Sequence, residues 1–331
     1  MDIKEVITKA RPNAKESTVK MYESNLKKLQ KMFDTDNWKF LDDIEAVKDK
    51  LSKLHYTSQR NYFNSIIILL MALNSDKKND KLIEQYNEIR DEGNKKYQDD
   101  NATGVISDKQ KENFVELSEI QKMISEMDKE IKDKKLRTKE TLKPKEKMLV
   151  QVFLLFNIYS RLPMRNDVSG MTITTKRLYN KLSEAEKKEN NYLVVEKNKM
   201  FFVLNQFKTS AKYKELDIDI PKDLEKILRF YIKVNGLKNG DVLFTSTTGT
   251  PLSRNALSQL FIKTSKKYLG KSISTTMLRK IVLSDKFSDV KEEQKEMAKI
   301  TGHSVSTMNN VYVKDKADMS STAKDDEPPS S

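Results

Sequence analysis

The chain of 331 residues has no cysteine and only two histidines, His55 and His303. Each scarcity closes a class of chemistry. Without thiols there is no disulfide framework, no thiolate metal site and no cysteine nucleophile, and two isolated histidines do not make a polyhistidine metal centre. Catalysis by this chain therefore falls to hydroxyls, phenols, carboxylates, lysine or arginine. Long apolar runs are also missing. The longest, Ile66 to Leu73, is far short of the roughly 20 residues that span a bilayer, so no membrane partner is expected and the run reads as core. No basic-then-apolar signal stretch opens the sequence, which points to a soluble intracellular protein whose compartment the sequence leaves open. The length predicts two domains of about 100 to 200 residues each.

Acidic residues are scarce in one place. The chain carries 62 Lys+Arg against 49 Asp+Glu, a formal charge of +13. Residues 1–110 hold 20 basic and 19 acidic side chains, whereas residues 111–331 hold 42 and 30, so almost all of the excess is in the second part. Within that part, Val242 to Ser284 contains no Asp or Glu but has Arg254, Lys263, Lys266, Lys267, Lys271, Arg279 and Lys280. A surface facing a polyanion needs this: nearby carboxylates would repel phosphate, while Lys and Arg release its counterions.

Hydrophobic periodicity predicts helices over Ser17 to Phe33 and Thr57 to Leu73, and a shorter one over Lys81 to Arg90, with Trp38 in the core. Residues 1–92 therefore read as a small helical domain. The polar, irregular stretch from Asp91 to Glu112 reads as a flexible linker, with its boundaries at 93–112. A second domain, 113–316, is expected to be α+β. Its helices are predicted at Leu117 to Met127, Lys145 to Tyr159, Asp223 to Val234, Asn255 to Tyr268, Thr275 to Phe287 and Lys291 to Ile300, the last stopping at Gly302. Alternation over Tyr192 to Leu204 and Lys214 to Ile220, joined by a polar turn at Lys208 to Lys212, predicts a β-hairpin as the main strand content. The whole is thus mainly α with a small antiparallel β-sheet. Lys132 to Lys147 reads as a solvated, mobile charge run, and 317–331 as a disordered tail.

Arginine is rare, at 10 of the 62 basic residues, so its positions are informative. Arg165 follows Pro163 at a helix start, where free N–H groups favour an anion, and Arg279 lies inside the acid-free stretch. Paired guanidiniums can hold both non-bridging oxygens of one phosphodiester in a fork geometry that lysine lacks. Further along, Thr301-Gly302-His303-Ser304 is followed by Tyr312, nine residues beyond the histidine.

These residues carry a specific resemblance. ITGHSVSTMNNVYVK resembles the last box of the tyrosine recombinase (phage-type integrase) family, a Gly-His followed nine residues later by a tyrosine. YSRLPMRNDVSGM is similar to its first box, with Asp167 two positions after Arg165, and TTMLRKIVLS to its second. The resemblance spans roughly residues 10 to 315, the N-terminal helices being similar to that family's core-binding domain. It implies that Tyr312 is a nucleophile forming a 3′-phosphotyrosyl bond with double-stranded DNA, and that Arg165 and Arg279 neutralise the phosphorane. It further implies that His303 hydrogen-bonds a non-bridging oxygen, and that Lys208 protonates the 5′ leaving oxygen, with Lys212 and Lys214 as rivals. No metal or cofactor is implied, and the partners would be duplex DNA and a homotetramer on paired sites. The sequence departs from the family at Thr276, where the second box usually has histidine; a hydroxyl donates a hydrogen bond but cannot serve as an imidazole acid or base. The expected function is site-specific recombination or integration for a viral or mobile element. The alternatives are a type IB DNA topoisomerase and a DNA-binding relative that has lost catalysis.

Overall fold

Several helix starts in this chain are capped by short polar side chains. Asp2 accepts the N–H groups of Lys4 and Glu5, Asp43 that of Ala46 and Ser274 that of Met277, satisfying donors a helix cannot pair internally. The computed structural model describes residues 2–313 apart from 75, 76, 78, 103 and 105. The tail expected to be disordered, 317–331, lies outside the described residues. The chain divides into two compact units, 1–106 and 107–331.

The first unit is helical: α1 (Ile3–Ala10), α2 (Glu16–Met32), α3 (Ile44–Ser52), α4 (Tyr56–Leu73) and α5 (Asp80–Ala102). Helix α4 runs through its middle and buries Tyr62, Phe63 and Ile66 to Leu70. Such all-round burial explains why its apolar residues form a run and not a stripe. Its N-cap is His55, two residues before Thr57, with the imidazole Nδ1 accepting the Thr57 N–H. Trp38 is half-buried against this core. Helix α5 is a correction to the sequence reading, since residues 91–102, expected to be irregular linker, continue the helix. Tertiary contacts hold this polar segment: the Arg60 guanidinium sits 4.7 Å from the Tyr97 ring and Lys96 Nζ 5.2 Å from the Tyr56 ring.

The second unit contains α6 (Asp108–Lys111), α7 (Leu117–Asp133), α8 (Pro144–Arg161), α9 (Lys176–Tyr179), α10 (Glu184–Glu189), α11 (Ser210–Tyr213), α12 (Lys222–Asn235), α13 (Arg254–Leu269), α14 (Thr275–Ile300) and α15 (Val305–Thr307), the last running into a π-helical turn at Met308–Tyr312. Helix α8 is central, with Leu149 to Tyr159 all buried. Its interior Gln151 is satisfied: the Tyr231 hydroxyl and the Thr245 N–H donate to its Oε1, and its Nε2 donates to the Thr245 carbonyl. The charge run 132–147 is anchored instead of mobile, because Leu136 and Leu142 are buried in the core while Arg137 pairs with Asp128 and Lys139 with Glu146.

The sheet has four strands in the order β1 (Thr172–Thr175), β2 (Tyr192–Val195), β3 (Met200–Leu204), β4 (Leu216–Asp219). β2–β3 and β3–β4 are antiparallel, while β1 adds in parallel to β2 through Thr172↔Tyr192. The stretch Tyr192 to Leu204, expected to be one arm of a hairpin, folds back on itself at the polar residues 196–199. The β3–β4 connection, 205–215, holds the short α11 and is longer than the turn expected at Lys208 to Lys212. The helices expected at Thr275 to Phe287 and Lys291 to Ile300 are one 26-residue helix, α14, because nothing between them breaks a helix. It does end at Gly302, whose φ of +68° suits glycine, with the Gly302 N–H donating to the Lys299 carbonyl and the His303 N–H to that of Ala298.

Candidate functional site

Pro163 follows the central helix of the second unit: α8 gives way at Leu162, and Arg165 then caps a short 3-10 turn, Asn166–Val168. Three independent clamps hold this turn. The buried Tyr159 hydroxyl donates to the Arg165 carbonyl at 3.0 Å. Arg279, on the first turns of α14, donates from Nε to the Pro163 carbonyl at 3.0 Å and from Nη2 to the Met164 carbonyl at 2.8 Å. Asn166 Nδ2 donates to the Arg254 carbonyl at 2.8 Å. Two guanidiniums distant in sequence are thereby brought to one stretch of chain, with Arg165 exposed and Arg279 half-buried. Burial, reinforced by the neighbouring Arg165 charge, holds the Arg279 pKa below its ordinary value.

Asp167, 5% exposed, is the acid inside this cationic cluster. Burial raises its pKa, and the opposing pulls of Arg254, Arg165 and Arg279, in that order, leave it raised. Arg254 at the start of α13 donates from Nη2 both to Asp167 Oδ1, at 2.9 Å, and to the Gln206 carbonyl, at 3.0 Å. Buried Asn191 ties the same two segments together. Its Nδ2 donates to the carbonyls of Asp167 and Gln206, and its Oδ1 accepts the N–H groups of Asn205 and Gln206.

Lys208 follows two residues after Gln206, exposed, while Phe207 between them is buried in the core. Lys212 lies on α11 with its Nζ 5.2 Å from the Tyr213 ring, and Lys214 ends that helix in a positive-φ conformation. His303 and Tyr312 come together as stacked rings, 4.8 Å between centroids and 23° between planes, with Tyr312 59% exposed. Thr276 is exposed in the first turn of α14, three residues before Arg279. Among the described residues, no hydrogen bond or ion pair joins His303 or Tyr312 to Arg165, Arg279 or Lys208. The structure thus gathers the candidate residues as two groups, the arginine cluster and the His303–Tyr312 stack, with Lys208 on a loop moored to the first.

Arg254 and Asn191 were not singled out from sequence. Arg254 carried a faint signal, as a rare arginine within the acid-free stretch; Asn191 carried none. Among the described residues there is no group of three or more His, Asp or Glu side chains able to hold a metal ion, and no helix long and apolar enough to cross a membrane.

No family model matches the sequence, and no curated protein does. Among solved structures, the chain is similar to the XerH site-specific recombinase bound to palindromic difH substrate in a post-cleavage complex. The TM-score is 0.51 at 16% identity, covering 97% of this chain and 83% of that one. It is also similar to XerH in its pre-cleavage difH complex, with a TM-score of 0.49 at 16% identity over 98% and 84% of the two chains, and to XerA recombinase, with a TM-score of 0.35 at 11% identity over the full length of both. At such identities the first of these likenesses bears on fold, so the conclusion is an architectural one: this mainly α chain with its small mixed sheet shares the fold of the XerH chain.

Proposed function

We propose that the protein is a metal-independent, site-specific DNA strand transferase of the tyrosine recombinase type. The observation that carries this reading is the placement of Arg279 on the carbonyls of Pro163 and Met164, directly before Arg165. Two fork-shaped cations held side by side suit the non-bridging oxygens of one phosphodiester and the extra charge of its pentavalent transition state. The fold, the basic excess of the second unit and the Gly302-His303…Tyr312 spacing agree with it.

In this mechanism Tyr312 Oη attacks phosphorus, forming a 3′-phosphotyrosyl bond as the bond to the 5′ oxygen breaks. The phenol gives up its proton to solvent water, and the 5′ oxygen gains one from Lys208 or its neighbours Lys212 and Lys214. His303 donates to a non-bridging oxygen. Because the phosphoester energy stays in the covalent intermediate, a 5′-hydroxyl from a second duplex can reverse the step without ATP. Residues 1–92 act as the helical clamp, 113–316 as the catalytic domain, and four copies act on paired sites. Thr276 supplies one hydrogen bond where the family usually has imidazole.

The test is covalent capture. The protein is incubated with a random-sequence library of nicked duplexes, and the DNA that stays bound in detergent is sequenced. Wild type is expected to retain a defined sequence, and Tyr312→Phe to lose about 10³-fold or more of the covalent product. Absence of a covalent complex in the wild type, or its persistence in Tyr312→Phe, overturns the reading. Relaxation of supercoiled plasmid without exchange between two copies of the captured site assigns the chemistry to a topoisomerase instead.

A further inference from the structure

We infer that Arg254 is a positioning residue that sets the leaving-group proton donor by holding the lysine-bearing β3–β4 connection against the Arg165 turn. This inference rests on the strand-cleavage reading above. A single nitrogen, Arg254 Nη2, bridges Asp167 Oδ1 at 2.9 Å and the Gln206 carbonyl at 3.0 Å. One end of that bridge lies in the turn that Arg165 opens; the other lies two residues before Lys208. The acid it serves is 5% exposed while the Arg254 side chain is 56% exposed, so the bridge is a directional, charge-assisted contact sheltered from solvent on the Asp167 side.

The two ends are not equally dependent on Arg254. The Arg165 turn keeps separate clamps from the Tyr159 hydroxyl and the Arg279 guanidinium. Among the described residues, the side chains joining the Gln206 main chain to that turn are those of Arg254 and Asn191. Removing the arginine side chain also leaves the buried Asp167 Oδ1 without the guanidinium donor it accepts from, which removes one of the two side chains of this cross-link. The damage therefore falls on the lysine side. A base or acid displaced by even a fraction of an ångström loses most of its contribution, while the phosphate-binding arginines stay in place.

The leaving group separates this role from general structural support. An alkoxide leaves only if protonated, whereas a thiolate, whose conjugate acid has a pKa near 8.5, leaves without help. Two nicked duplexes of the captured sequence are compared, one ordinary and one with sulfur in place of the 5′ bridging oxygen at the scissile phosphate. Arg254→Ala is expected to form covalent complex about 10²-fold more slowly than wild type on the ordinary duplex and within about threefold of it on the sulfur duplex. The comparison does not depend on which of the three lysines donates the proton.

Circular dichroism melting establishes that the variant folds. If Arg254→Ala does not, Arg254→Lys, which keeps a charge opposite Asp167 without the guanidinium's reach and fork, is judged by the same pair of rates. A deficit of equal size on both duplexes overturns the proposal, as does a normal rate on the ordinary duplex. A wild-type protein that forms no Tyr312-dependent complex on either duplex overturns the strand-cleavage reading itself, a result distinct from any that Arg254 variants can give.

Discussion

Asp167 sits among three arginines, yet its carboxyl is held above the ordinary range because burial outweighs their attraction. The folded protein therefore binds this proton more tightly than the unfolded chain does. The stability it contributes is fully present below the unfolded carboxyl pKa of about 3.9 and is lost as pH rises through the raised folded value. Asp167→Asn removes that titration while keeping the side chain's size. Urea unfolding at a series of pH values from about 3 upward is expected to show wild type losing stability relative to Asp167→Asn across this window. A difference between the two proteins that stays flat with pH contradicts the assignment. The partner of Asp167 could not be found by reading along the chain. Arg254 lies 87 positions away, and only the packing of α13 against the Arg165 turn brings them together.

At the scale of elements, α14 has two unlike halves. Its first half buries Thr275, Leu278, Ile281 and Val282 and positions Arg279. Beyond Val282 the helix leaves the main hydrophobic cluster of the second unit; Ala298 alone is buried there, and Leu283, Phe287, Val290, Met297 and Ile300 are exposed. A proline at Asp289 removes one ladder bond and clashes with the preceding turn, costing about 3 kcal/mol in a helix interior. That cost is expected to be borne locally. Asp289→Pro should lose helical ellipticity while its main melting midpoint moves by less than about 2 °C. A fall of several degrees would mean that the distal half supports the body. Residues 291–296 hold no apolar side chain to mark a periodic stripe, yet Lys, Glu and Gln continue a helix well enough once its first turns are packed. The same physics extends α5 past Arg90, where cation–π contacts stand in for an apolar stripe. In the sheet, strand β1 was missed because four residues, TITT, give too little alternation to see; its parallel partner β2 gives it meaning.

For the whole molecule, the +13 formal charge and the acid-free stretch Val242 to Ser284 make the proposed DNA binding a counterion problem. Duplex binding, followed by fluorescence anisotropy with a labelled oligonucleotide, is expected to weaken steeply with salt. If the protein covers 6–10 phosphates, the loss is about 10³ to 10⁵ between roughly 50 and 200 mM. Tyr312→Phe should leave that slope unchanged, since one phenol among the basic residues alters no phosphate contact. A slope near zero contradicts a polyanionic partner.

What the sequence determined by itself is local or additive: the exclusion of thiol chemistry, the location of the charge, the helix-rich class, the glycine stop at Gly302 and the motif spacing that singled out Arg165, Arg279, His303 and Tyr312. Each depends on residue identity or on neighbours within a few positions. The tertiary structure decided what depends on distant segments meeting: the parallel β1–β2 pairing and the Arg254–Asp167–Asn191 cross-link that moors the lysine loop to the Arg165 turn. Helix α8, buried from Leu149 to Tyr159, packs against α7, α12, α13 and α14, and α13 packs against the turn that follows α8; no periodicity along the chain encodes that meeting.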